Sequence, residues 1–187
     1  MANDDDYLSN THCFIKNDTL YILGEFNQDI SNNVIPELSD LISRFEQTKN
    51  PQFEIIINSC GGYTYELFGL LFYLDIMKAM GVKIITKVIG YAESCASMLA
   101  CYGDERYMSR RAIQMMHLGE YPLPPMKTYE DIKRCSKGSE RHFDNIVQIY
   151  KEHSRMSADV IKDKLKNDHL YLTAEQCVKY GLCDYII

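Results

Sequence analysis

Twice in succession this chain runs from an apolar, β-branched segment through small residues into an apolar helix. FEIIINS (53–59) is β-branched at its centre and passes through CGG into TYELFGLLFYLDIMKAMG, a long and largely buried helix that stops at Gly81. VKIITKVIG (82–90) then leads into ESCASMLACYG, a second buried helix. Strand and helix in alternation restrict the chain to an α/β architecture. The flanking segments agree. TLYILGEF (19–26) reads as a short buried strand ended by Gly24. VIPELSDLISRFEQ carries apolar residues at 34, 35, 38, 41, 42 and 45, a helical spacing with Pro36 tolerated in the first turn. RAIQMMHLGE (111–120) reads as a strand ending at a histidine, and YPLPP then breaks regular structure. Tyr129, Ile132, Cys135, Ser139, Phe143, Ile146, Val147 and Tyr150 recur at helical period, predicting a long helix over about 126–156 with a polar outer face. Ser157 is placed to cap a further helix. Thr173 with Gln176 forms a capping box before a helix that stops at Gly181. No repeat or linker interrupts the chain, so residues 1–187 are expected to form one domain with a mobile N-terminal segment over 1–18.

Composition removes several function classes. The net charge of −6 argues against a nucleic-acid backbone as partner. The basic residues of MKTYEDIKRCSKGSERH are interleaved with acids, as on a solvated helix face. No apolar run reaches the roughly 18–20 residues that cross a bilayer. The longest candidate, 67–80, is interrupted by Asp75 and Lys78. The acidic start MANDDDYLSN is no secretory signal, and a cytoplasmic setting is expected. Seven scattered cysteines with no CxxC pair read as reduced, small buried side chains. His12 beside Cys13 is poor ligand geometry, so neither a metal site nor a cofactor is expected.

Two places have the form strand, small residues, helix start. In IINSCGGYTYE the glycine pair lets backbone N–H groups face a ligand, which could form an oxyanion hole; a tight strand-to-helix turn explains the same residues. In VIGYAESCASML, Ser94 falls at the start of the helix, where it reads as an N-cap, a packing residue or a nucleophile. Ala92 and Ala96 take the glycine positions of a G-x-S-x-G elbow, so this is a different turn. His117, ending the strand after the Ser94 helix, is topologically the best base. An orienting acid should come from a third element: Asp168 is the first candidate, with Asp163 and Asp184 behind it.

From about residue 19 to the end, these segments together resemble the Clp protease proteolytic subunit, ClpP. TLYILGEFNQDI is similar to the family's first strand and turn, and IINSCGG to its Asn-Ser-Pro-Gly-Gly turn with Cys60 in place of proline. GYAESCASMLACYG aligns with its Gly-x-Ala-Ala-Ser-Met segment, MMHLGE with the segment bearing the histidine, and YLTAEQCVKYGLCDYI with its closing helix and strand. The resemblance implies a ClpP/crotonase-like spiral of ββα units with an extended handle helix. It implies a serine peptidase in which Ser94 is the nucleophile, His117 the base, and Gly62 with the N–H of Cys95 the oxyanion hole. It implies unfolded polypeptides as substrates and heptameric rings stacked in pairs around a chamber. The further partners implied are an AAA+ unfoldase or host ClpP subunits.

The chain departs from the pattern in places. Glu93 and Cys95 stand where the family has alanine and methionine. The family's aspartate position falls on His169, with Asp168 one residue earlier, so the third member is Asp168, His169 or absent. The N-terminal segment and the tail after the final strand look short for the family. These are the marks of a divergent member, of the kind phages or multi-subunit Clp systems carry. Two readings follow: an active peptidase core, or an inactive structural subunit that assembles with an active ClpP. A third, an acyl-CoA-handling crotonase relative, lacks any segment resembling a phosphate or adenine site and leaves Ser94 and His117 without purpose.

Overall fold

The computed structural model describes residues 12–119, 125–126, 128–166 and 169–187. Among the described residues, eight strands form one sheet: β1 (Cys13–Lys16), β2 (Thr19–Ile22), β3 (Gln52–Ser59), β4 (Lys83–Glu93), β5 (Glu105–Met108), β6 (Ile113–Met116), β7 (Leu170–Thr173) and β8 (Tyr185–Ile186). Six α-helices accompany them: α1 (Ile35–Phe45), α2 (Thr64–Ala79), α3 (Cys95–Cys101), α4 (Tyr129–Glu152), α5 (Ala158–Leu165) and α6 (Ala174–Tyr180), with a π-helical turn, Ile30–Val34, leading into α1.

The main sheet has the order β1-β2-β3-β4-β5-β8 and is parallel from β2 onward. Parallel strands have to be joined by crossovers, and the alternation of β-branched and amphipathic segments supplies them. Strand β4 is shared. Its first half, Ile85 to Val88, pairs with β5, and its second half, Tyr91 to Glu93, pairs with β6. Strand β6 in turn pairs antiparallel with β7.

The fork is built on one side chain and one glycine. The β3–β4 register shifts between Ile57 and Ser59. There the Tyr91 N–H donates to Asn58 Oδ1 at 3.0 Å, replacing a ladder bond. A Cβ at position 90 would sit 2.4 Å from that same oxygen, so Gly90 makes room for it.

The core lies beneath the sheet, with Leu20, Ile22, Phe53, Ile55, Ile57 and Ile84 of the strands fully buried against Leu38 and Leu41 of α1 and Leu67, Leu70 and Leu74 of α2. All seven residues of α3 are buried. Helix α4 is buried only at Ile146, Val147 and Tyr150, near its C-terminal end; Tyr129 and Ile132 at its start stay exposed. It begins at the capping box of Thr128 with Asp131 and ends at His153, inside the span of about 126–156 expected from the sequence. The caps at Ser157 and Thr173 and the left-handed stop at Gly181 also form as the sequence predicts.

Arg106 of β5 gathers three helix ends. It meets Asp184 with Nε at 2.9 Å and a terminal nitrogen at 2.7 Å. Its other terminal nitrogen donates to the carbonyls of His153 (2.7 Å) and Gly181 (2.9 Å), with Cys101 further off at 3.4 Å. These carbonyls close α4, α6 and α3, and the last turn of a helix leaves such groups without partners of its own.

Some expectations fail. Residues 13–16, inside the segment expected to be mobile, form β1, because Cys13 is buried and the strand completes a four-pair antiparallel ladder with β2. The ladder of β2 stops at Ile22, four residues short of the predicted end, and Phe26 instead makes an isolated parallel bridge with Gly62. Strand β4 continues past Gly90 to Glu93, because β6 offers a second partner. The expected strand over 111–120 is confined to 113–116.

Candidate active site

Ser94 follows directly on β4 and occupies the N-cap position of α3, but its side chain makes no capping hydrogen bond. Its backbone is at φ 54°, ψ −118°, a region that residues with a Cβ rarely adopt. Such a conformation costs on the order of 1–3 kcal/mol and persists where the surroundings over-determine it. Here the Ser94 N–H donates to the Met115 carbonyl at 3.0 Å, and α3 behind it is wholly buried. The turn lifts the hydroxyl toward the end of β6. There Oγ lies 2.7 Å from Nε2 of His117, the first residue after that strand.

His117 stacks on His169 with ring centroids 5.0 Å apart and planes 27° apart. The β6–β7 register explains the contact. Met116 pairs with Leu170, so the next pair outward is 117 with 169. Asp168 lies outside the described residues. Of the other acids considered for a third element, Asp184 is committed to Arg106, which holds its carboxyl below the ordinary carboxylate value. Asp163 lines a cavity of about 560 Å³ between α4 and α5, walled also by Leu118, Phe143 and Val147.

The glycine turn lies against the serine. A Cβ on Gly61 would come within 2.7 Å of Ser94 Cβ and of the Glu93 carbonyl. Gly61 and Gly62 have φ of +93° and +147°, so only glycine fits there without strain. The turn is tied down from three directions. Phe26 N–H donates to the Gly61 carbonyl at 2.7 Å, and Tyr63 N–H to the Phe26 carbonyl at 2.8 Å. The Gly61 N–H donates to Ser59 Oγ at 3.1 Å. The Cys95 thiol donates to the Gly62 carbonyl at 3.1 Å. Among the described residues, the N–H groups of Gly62 and Cys95 donate to no backbone carbonyl.

Glu93 lines a separate cavity of about 410 Å³ with Gly24, Asn58, Ser59, Cys60 and Tyr91; neither Ser94 nor His117 is among its walls. All seven cysteines are free. Among the described residues, no cluster of three His, Cys, Asp or Glu side chains could hold a metal ion, and no helix is long and apolar enough to cross a membrane.

Behind the site runs a buried polar chain. The Gln114 amide donates to the carbonyl (3.2 Å) and Oγ (3.0 Å) of Ser97, and Tyr150 of α4 donates to the same Oγ at 3.0 Å. The Cys177 thiol donates to Gln114 Oε1 at 3.4 Å. Ser97 is three residues beyond Ser94 and Gln114 three before His117. Sequence reasoning missed this network. Gln114 in an otherwise apolar strand was its only trace.

A strained serine hydrogen-bonded to a histidine where the sheet forks defines a serine–histidine site on an α/β scaffold. The comparisons narrow this further. The sequence profile of the Clp protease family matches residues 3–187, and the chain belongs to that family. Relatives described as the ATP-dependent Clp protease proteolytic subunit in two strains of Dehalococcoides mccartyi are 28% identical over 175 residues, covering 92% of this chain and 83% of theirs. The crystal structure of a peptidase from Plasmodium falciparum superposes with a TM-score of 0.68 at 17% identity, over 88% of this chain and 92% of that one; it shows the shared fold. The α/β fold with its long, largely exposed helix is thus of the ClpP type, as the resemblance implies.

Proposed function

We propose that this chain is a serine endopeptidase subunit of Clp type that cleaves unfolded polypeptides through an acyl-enzyme. The observation that carries the reading is the 2.7 Å contact between Ser94 Oγ and His117 Nε2, made by a serine that caps nothing. His117 Nε2 accepts the Ser94 proton as Oγ bonds to the scissile carbonyl carbon. His117 then gives that proton to the departing amine as the C–N bond breaks. Water attacks the acyl-enzyme with His117 again as base, and the proton returns to Oγ as the acid leaves.

The negative oxygen of the tetrahedral intermediate needs donors. In a trans peptide the C=O and N–H point opposite ways. Because the Gly61 carbonyl is turned to Phe26, the Gly62 N–H of the same peptide is directed away from Phe26. Close packing of Gly61 on Ser94 supports the assignment of Gly62 and Cys95 N–H as the oxyanion hole.

With Nε2 facing the serine, His117 needs an acceptor at Nδ1. We assign Asp168 that place. His169 meets the His117 ring by stacking, whereas an orienting acceptor has to lie near the ring plane. Asp168 is the chain neighbour of His169, whose ring the structure places against His117. Partners are polypeptide substrates and further copies of the chain, assembled as rings through faces that include the exposed start of α4. Free cysteines throughout support a cytoplasmic setting.

The test is labelling of the purified, assembled protein with a fluorophosphonate probe. Labelling should occur and vanish in Ser94→Ala. Asp168→Asn should slow peptide hydrolysis by on the order of 10³–10⁴, and His169→Gln by less than about tenfold. An assembled protein that takes no label is a structural subunit, and the peptidase reading fails.

A further inference from the structure

We propose that Cys95 is a positioning residue, whose thiol holds the Gly62 carbonyl and so keeps the glycine turn seated against Ser94. The inference rests on the peptidase reading above and gives the residue after the nucleophile a second task. Its own N–H is one oxyanion donor; its side chain fixes the turn that presents the other.

Two adjacent glycines at positive φ have several accessible backbone basins, so something outside the turn must choose one. On the Phe26 side, backbone bonds hold the Gly61 carbonyl and the Tyr63 N–H. On the α3 side, the Cys95 Sγ–Gly62 O contact of 3.1 Å is, among the described residues, the one hydrogen bond joining helix and turn. Cys95 is fully buried, and that burial pushes its thiol up to about 11. The sulfur therefore stays protonated at neutral pH and acts as a donor. Without it the turn is tied only to Phe26 and Ser59, and the turn as a whole, with the Gly62 N–H it presents, can draw away from Ser94.

The experiment compares Cys95→Ala, which removes the donor, with Cys95→Ser, of nearly the same size, which keeps one. The rate of fluorophosphonate labelling at Ser94, kcat and KM for a short peptide, and the thermal midpoint are measured on assembled protein. Losing an oxyanion donor outright costs about 10²–10³ in kcat, and a donor left loosely placed costs less. Cys95→Ala is expected to lower the labelling rate and kcat about tenfold with KM within about twofold, while Cys95→Ser stays within about threefold of wild type. A merely structural role would move the thermal midpoint and leave the kcat-to-KM split untouched. Cys95→Ala reacting at the wild-type rate, or Cys95→Ser as slow as Cys95→Ala, overturns the proposal. Wild-type protein whose labelling survives Ser94→Ala overturns the peptidase reading instead.

Discussion

Replacing Ser94 by glycine and by alanine should separate the loss of its hydroxyl from the strain of its backbone. Both variants lose Oγ and its hydrogen bond to His117, so their difference isolates the backbone. At φ 54°, ψ −118°, alanine keeps the Cβ that makes this conformation costly, by about 1–3 kcal/mol, whereas glycine does not. Glycine gives back about 0.4–1 kcal/mol through the greater freedom of its unfolded chain. Ser94→Gly should therefore be more stable than Ser94→Ala by about 1 kcal/mol, the reverse of the usual order. At a urea dependence of roughly 1–3 kcal/mol per M, the midpoint rises by about 0.3–1 M. The assay is equilibrium unfolding of the two variants at one fixed protein concentration, because assembly would otherwise enter the comparison. A glycine variant equal to or less stable than the alanine variant would show that the Ser94 turn stores no strain.

Three further outcomes are expected. Arg106→Met leaves the Asp184 carboxylate with only the backbone N–H of residue 106 and three helix-end carbonyls without their donor, and should lower stability by about 1–3 kcal/mol in urea unfolding; Arg106→Lys, which cannot span these groups, should recover less than half of that. Because Arg106 depresses the Asp184 carboxyl in the folded state, its contribution is complete above the unfolded carboxylate pKa of about 3.9 and is lost as pH falls through the lower folded value. The acid limb of the stability curve below about pH 4 should thus be shallower in Asp184→Asn; an unchanged limb would refute the linkage. Gly90→Ala should cost about 1–3 kcal/mol by driving Asn58 off the Tyr91 N–H, and Asn58→Ala in the same background should add little further loss.

Much of the scaffold is legible in the sequence because its signals are local. The buried runs 53–59 and 82–90, the caps at Ser157 and Thr173, and the glycine stops at 81 and 181 each announce themselves within a few residues. Short strands do not. Glu105–Met108 and Leu170–Thr173 are four residues long, and their partners lie far away in the chain, so no window reveals them. The same holds at the site. Ser94 and His117 are 23 residues apart, and the sequence places them at one sheet edge only through the expected order of elements. The choice between nucleophile and helix cap turns on a backbone dihedral, which composition does not encode. The thiol of Cys95 and the chain Gln114–Ser97–Tyr150 depend on side chains meeting from separate elements, and periodicity carries no record of such meetings.

The fork in β4 separates two mechanical duties. One limb, β5 and β8, carries the Arg106 tie and with it the ends of three helices. The other, β6 and β7, aims the histidine at the serine. Between them the backbone ladder to β3 is interrupted, and the join is a single asparagine side chain lying over a glycine. The two limbs are nonetheless one body, because β4 runs unbroken through both and α3, which begins after Ser94, is held at its last turn by Arg106 and at Ser97 by Tyr150 of the long helix. The serine is thus anchored from the limb that ties the helix ends while the histidine is carried by the other, and β4 keeps the two in register.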